Sequence, residues 1–245
     1  LIGGLAGDAI TTGAGNVAVG YAALDANTTA ADSVAVGTNA LGANTTGDQN
    51  IAIGTSSLLL NTTGRNNIAI GQVALGANTT ASQNVAIGIA ALDANTTGAS
   101  NIGIGYGALS GNTTASNNVA VGDMTLAANT TGANNIAMGT NTLLVNTTGL
   151  ENIAIGNYSL DANTTGTNST AIGFNTLSAN TTAVNNTAIG SQSMASSTTG
   201  SYNTAVGNNS LQAHTTGNYN VAMGQQALYA KTSSSNNTGI GCFAL

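Results

Sequence analysis

The sequence predicts an all-β chain, a parallel β-solenoid (β-roll) of about fourteen 17-residue coils. Three observations predict it: a glycine returns every 17 residues, a short apolar triplet precedes each of those glycines, and a turn-forming Asn-Thr-Thr segment separates one triplet from the next. The glycines run from Gly20 through Gly37, Gly54, Gly71 and Gly88 to Gly241 without an insertion or deletion, and Gly3 falls in the same register. Strict self-similarity at a short period is the signature of a solenoid or fibre.

Numbered from the residue four before each glycine, the unit reads Asn, Val/Ile/Thr, Ala, Ile/Val/Met, Gly, two variable residues, Ala/Ser/Thr, Leu, a variable residue, a small residue, Asn, Thr, Thr, Gly/Ala and two polar residues. The copy that begins at Asn84 is typical. Seventeen residues are too few for a helical hairpin, and the repeated Gly and Asn-Thr-Thr-Gly segments break helices. The first element of the unit is the triplet, such as Val85-Ala86-Ile87. Its β-branched outer residues read as a short strand, and Gly88 supplies the tight turn after it, where a positive φ or a close backbone approach is needed. The second element, Ala91-Leu92, is predicted as another short strand. The third, Asn95-Thr96-Thr97-Gly98, turns the chain back and completes the circuit. Coils stacked as parallel strands add about 4.8 Å each along the axis, so like residues lie above like residues.

That stacking turns each repeat position into a row. The fourth position, including Ile53, Ile70, Ile87 and Ile104, and the ninth, including Leu58, Leu75, Leu92 and Leu109, are predicted as the two core ladders. The third position is Ala in all copies but Gly103 and Gly239. Because side chains alternate across a strand, the Ala row is predicted to face away from the Val/Ile rows. Its restriction to the smallest residues predicts that another backbone lies against it, which makes Ala52, Ala69, Ala86 and Ala120 the candidates for an interface with a second chain. The second position changes from Val or Ile to Thr at Thr170, Thr187, Thr204 and Thr238, a less completely dry site.

Composition narrows the function classes. Only 4% of the 245 residues are charged and 3% are aromatic, whereas a typical soluble domain has about 25% charged residues. A conventional enzyme surface is not expected, and a face of Asn, Thr, Ser, Gln and Gly suits work outside the cell. The eight acids are scattered, and the two bases, Arg65 and Lys231, form no stripe that could follow a phosphate backbone, so no nucleic-acid partner is predicted. No run of 18 apolar residues predicts a membrane span, and no cleavable signal segment is visible. The single Cys242 has no intrachain partner and reads as a small apolar residue. We expect one repeat domain over 1-245, with 1-15 as an irregular first coil. Leu1 and Leu245 stand in mid-repeat, so this is expected to be an excerpt of a longer polypeptide.

The string Asn67-Ile68-Ala69-Ile70-Gly71-Gln72-Val73-Ala74-Leu75 resembles the head repeats of trimeric autotransporter adhesins, whose units also centre on Val-Ala-Ile-Gly. The longer form with Asn163-Thr164-Thr165-Gly166 is similar to repeats of tail-fibre-like proteins that end in an intramolecular chaperone domain. The resemblance covers nearly the whole chain. It implies a trimer of parallel β-rolls forming a stalk or head on a cell or virion surface.

Several rows carry candidate chemistry. Asn at the first position (Asn50, Asn67, Asn84, Asn101) and at the twelfth (Asn78, Asn95, Asn112, Asn129) is predicted to form amide ladders at the corners. The same Asn-Thr-Thr triplets, ten from Asn27 to Asn180, are N-glycosylation sequons. The Thr row with Thr29, Thr46, Thr63, Thr80 and Thr97 could order water as an ice-binding face, although adjacent Thr residues should point to opposite sides. Asp25, Asp93 and Asp161 share the tenth position but stand four coils apart, about 19 Å at the stacking distance, too far to share a metal ion. His214 stands where other copies carry Asn, with no recurring nucleophile or carboxylate beside it. No catalytic residue, metal or cofactor is expected. The predicted function is a non-enzymatic shaft of an extracellular homotrimeric fibre. The alternatives are an adhesive module whose Tyr21, Tyr106, Tyr158 and Tyr229 meet a glycan or receptor, and a self-assembling filament or matrix protein.

Overall fold

Each unit contributes one strand of three residues, the apolar triplet, and its glycine ends it. The computed structural model describes residues 2–245. Within each of two units the strands are parallel to their neighbours, and no helix occurs among the described residues, so the fold is an all-β parallel solenoid. The chain divides into two compact units, Leu1–Asp123 and Met124–Leu245. The first holds β1 (Val17–Val19), β2 (Val34–Val36), β3 (Ile51–Ile53), β4 (Ile68–Ile70), β5 (Val85–Ile87), β6 (Ile102–Ile104) and β7 (Val119–Val121). The second holds β8 (Ile136–Met138), β9 (Ile153–Ile155), β10 (Thr170–Ile172), β11 (Thr187–Ile189), β12 (Thr204–Val206), β13 (Val221–Met223) and β14 (Thr238–Ile240). Within each unit, consecutive strands pair without offset, for example Ile51 with Ile68 and Ala52 with Ala69 between β3 and β4, and Ala171 with Ala188 between β10 and β11.

The invariant glycine is required twice over. At Gly54 φ is +129°, a region closed to L side chains, and a Cβ there would stand 2.6 Å from the carbonyl oxygen of Gly71 in the next coil. The predicted second strand is instead a turn. Ala90 and Leu92 take left-handed backbone, φ 56° and 53°, which bends the chain where a strand would run straight. Main-chain hydrogen bonding between coils continues on that side nonetheless: the N–H of Leu92 donates to Ala108 O (2.9 Å), and that of Thr96 to Thr113 O (2.9 Å). A further left-handed residue opens the side that leads to the strand, as at Gln83 and Asn117 (φ 65° and 62°). The 17th position is mostly Asn, Gln, Asp, Glu or Ser, and Asn and Asp enter that region at low cost.

The ninth-position row is inside as expected: Leu58, Leu75, Leu92 and Leu109 are fully buried. Each such burial contributes roughly 1.5 to 3 kcal/mol. The strand faces the other way from the prediction. Ile53, Ile70 and Ile87 are 39%, 36% and 37% exposed, and Ile104 is half-buried, so the fourth-position row is an outer face and not a core ladder. Ala52, Ala69, Ala86 and Ala120 are fully buried within their own chain and therefore cannot meet a second one. The reason is the bore of the coil. At Gly103, the one Gly of this row in the first unit, a Cβ would lie 3.3 Å from Cγ and Cδ1 of Leu92 and 3.2 Å from Ala108 O. One Leu per coil already fills the space beneath the strand, leaving room for a methyl and nothing larger. The backbone that restricts the Ala row is the far side of its own coil.

Candidate functional surfaces

The coil has three kinds of surface: two amide-lined corners, a hydroxyl-bearing turn and the strand face. The corners are built by both Asn rows, buried except at Asn16 and Asn237. In the twelfth-position row, Asn95 Nδ2 donates to Asn78 Oδ1 (3.2 Å) and to Gly98 O (2.9 Å), while Asn95 Oδ1 accepts from Asn112 Nδ2 (2.9 Å). In the second unit, Asn129 Oδ1 likewise accepts from Asn146 Nδ2 (2.9 Å). In the first-position row, Asn84 Nδ2 donates to Gly98 O (3.0 Å), and Asn84 Oδ1 accepts from the N–H of Asn101 (2.9 Å). Both rows thus converge on one turn carbonyl, and Asn rather than Asp is required because every link needs a donor and an acceptor. The sequon asparagines have their amides spent in these ladders below the surface, so the folded coil does not present them for glycosylation.

The Thr-Thr turn separates its two hydroxyl rows as alternation requires. Thr96 Oγ1 donates to Thr113 O (3.0 Å), and Thr62 Oγ1 to Thr79 O (3.0 Å). Only the fourteenth-position row, with Thr63, Thr80 and Thr97, is exposed. A single hydroxyl row with its neighbour committed to the backbone lacks the paired outward rows of an ice-ordering array.

The strand face is apolar and open. In the first unit the second position is Val or Ile throughout, from Val17 to Val119, and the fourth is Val or Ile from Val19 to Val121. Every residue of these two rows keeps part of its side chain accessible, giving a strip two residues wide along β1 to β7. In the second unit the fourth-position row stays apolar through Ile155, Ile172, Ile189 and Val206, while the second position turns to Thr at β10, β11 and β12. This contiguous apolar strip is the candidate interaction surface.

Titratable groups gather into no centre. Among the described residues no group of three or more His, Cys, Asp or Glu could hold a metal ion, and no ligand-sized pocket opens. Burial pushes the Asp93 and Asp161 carboxyls above the ordinary carboxylate range, opposed by backbone N–H donors at Ala94 and Ala162. Arg65 and Asp48 make an exposed contact at 3.8 Å, worth little at such a site. Cys242 is free and exposed, not tucked away as a small apolar residue would be. His214 is buried in the corner row, with Nε2 3.3 Å from Asn220 Nδ2. Among the described residues no helix is long and apolar enough to cross a membrane.

Of the tyrosines singled out from the sequence, Tyr158 meets Phe174 edge to face at 6.2 Å. Sequence reasoning missed a more ordered pair, Tyr202 and Tyr219, exposed and stacked at 5.1 Å with an interplanar angle of 11°. Their spacing of 17 residues was the signal, since it places both rings in one row. No family model matches the chain, and no curated protein matches it either.

Proposed function

We propose that the chain is the shaft of an extracellular fibre in which three parallel copies pack through their strand faces. The observation that carries this reading is the apolar Val/Ile strip, accessible along β1 to β7 and again, more narrowly, along β8 to β14. Packing against copies of itself would cover a surface that nothing within either unit covers. Threefold association is what the resemblance of Asn67 to Leu75 to adhesin head repeats implies. The shaft role draws support from coils cross-linked on every side by backbone hydrogen bonds, from a charge-poor surface and from buried rows that vary little from coil to coil. Parallel association about an axis along the coils brings identical residues together. Ile70→Cys, made in a Cys242→Ser background, therefore joins chains in pairs under mild oxidation; chains that stay single would refute packing through this face.

The Tyr202–Tyr219 stack favours a second reading, an adhesive module that meets a surface glycan with its exposed rings. A glycan array tests it: binding that disappears in a Tyr202→Ser, Tyr219→Ser variant supports adhesion, and an array with no reproducible signal leaves the shaft alone.

A further inference from the structure

The twelfth position is Asn in ten consecutive copies up to Asn180 and then reads Ser197, His214 and Lys231. The amide ladder of the second unit is complete where it is all Asn: Asn163 donates to Asn146 (2.8 Å) and Asn180 to Asn163 (3.0 Å). It stops at Ser197, whose side chain is too short to continue it. Asn180 Oδ1, Ser197 Oγ and His214 Nδ1, on three successive coils, are buried and have no hydrogen-bond partner. Unpartnered polar atoms in a dry corner are costly, at about 1 to 3 kcal/mol each, and three in a row mark the weakest stretch of this corner.

The same stretch lacks countercharge. From Ala162 to Leu245 the sequence has no Asp or Glu, and Lys231 is its only lysine or arginine. In the twelfth-position row His214 stands between Ser197 in the preceding coil and Lys231 in the following one; its Nε2 lies 3.3 Å from the Asn220 amide, which already donates to Ser234 O (3.0 Å). The exposed rings of Tyr202 and Tyr219 lie outside the corner. The carboxylate nearest in sequence, Asp161, is three coils away, roughly 14 Å along the axis.

We propose that this corner is an acid-sensitive latch: protonation of His214 places a cation inside the coil, one step from Lys231 and out of reach of any carboxylate, and opens the coils from Ser197 onward. Burial lowers the imidazole from its ordinary value of 6.5, with the Gly217 backbone carbonyl partly opposing the shift. The unfolded segment therefore takes up the proton before the folded one does. Its stability is complete above about pH 6.5 and falls as the pH drops below it, the opening constant rising about tenfold per pH unit for one proton.

Hydrogen exchange by mass spectrometry at pH 7.5 and 5.5, corrected for intrinsic rates, tests this. Peptides from Ser197 onward lose about tenfold in protection at the lower pH, while peptides from Ile51 to Val121 do not change. In His214→Asn, which takes up no proton in this range, the pH-dependent loss disappears. Equal protection at both pH values, or a loss that persists in His214→Asn, would overturn the proposal. Because His214 is the sole histidine, its ring resonance gives a second readout in the unaltered protein. A titration midpoint below 6.5 agrees with the latch; one at or above it contradicts it.

Discussion

Replacing Asn95 by Ala tests the corner ladder where its bonds can be counted one by one. Asn95 is fully buried and makes three side-chain hydrogen bonds, to Asn78 Oδ1, Gly98 O and Asn112 Nδ2. After Asn95→Ala, Gly98 O keeps the Asn84 donor (3.0 Å), and Asn112 Nδ2 keeps Ala115 O (3.0 Å). Asn78 Oδ1 is left without a donor, the condition that Asn180 Oδ1 already shows above Ser197. One orphaned acceptor costs about 1 to 3 kcal/mol, and each lost bond whose partner keeps another costs at most about 1 kcal/mol, so the variant loses about 2 to 4 kcal/mol. Urea unfolding followed by far-ultraviolet circular dichroism at fixed protein concentration measures it. Asn95→Asp keeps the shape but turns a donor into an acceptor, so at neutral pH it costs more than Asn95→Ala. A loss below about 0.5 kcal/mol for Asn95→Ala, the range of an ordinary surface substitution, would refute the ladder as a structural element.

Leu92→Ala, which empties the bore beneath β5 and β6, costs about 2 to 5 kcal/mol in the same unfolding assay. The two threonines of one turn separate sharply: Thr96→Val removes a bond to Thr113 O and costs about 1 kcal/mol, while Thr97→Val, on the exposed row, changes stability by less than about 0.5 kcal/mol. Asp161 carries a buried Oδ1 with no partner and a carboxyl raised above its ordinary value of 3.8. A raised carboxyl favours the folded state below that value and disfavours it as the pH rises through the folded one. Asp161→Asn therefore stabilises the protein at pH 7 and loses that advantage below about pH 3.8, read as thermal midpoints across a pH series.

The period, the single Leu per coil and the Asn corners were legible because they depend only on spacing: a 17-residue register stacks like on like whatever the cross-section. The direction of the strand was not, because alternation yields two faces without saying which is inside. Bulk suggested that Ile70 is buried and Ala69 exposed, yet a bore already holding Leu75 and two Asn side chains has room only for the Ala. The near-invariance of the Ala row, beside a second position that admits Val, Ile and Thr, was the available clue. The turn at Ala90 to Leu92 was hidden for another reason. Neither residue favours left-handed backbone, so in this copy that geometry is imposed by closing the coil; its mark lies in other copies, where the position of Ala90 is Asn39, Gly107, Asn141, Asn175 or Asn209. The Tyr202–Tyr219 pair and the break at Ser197 both emerge once the rows are read along the axis instead of along the chain.

The solution mass of the purified protein, by light scattering coupled to size exclusion, tests the central claim most directly when Ile53→Asn, Ile70→Asn, Ile87→Asn is measured beside the unaltered chain. If the outward Ile row is the packing face, the unaltered chain has three times its sequence mass and the variant has the single-chain mass with its β circular dichroism retained. An unaltered chain that runs as a single copy at every concentration, or a variant that keeps the threefold mass, would contradict it.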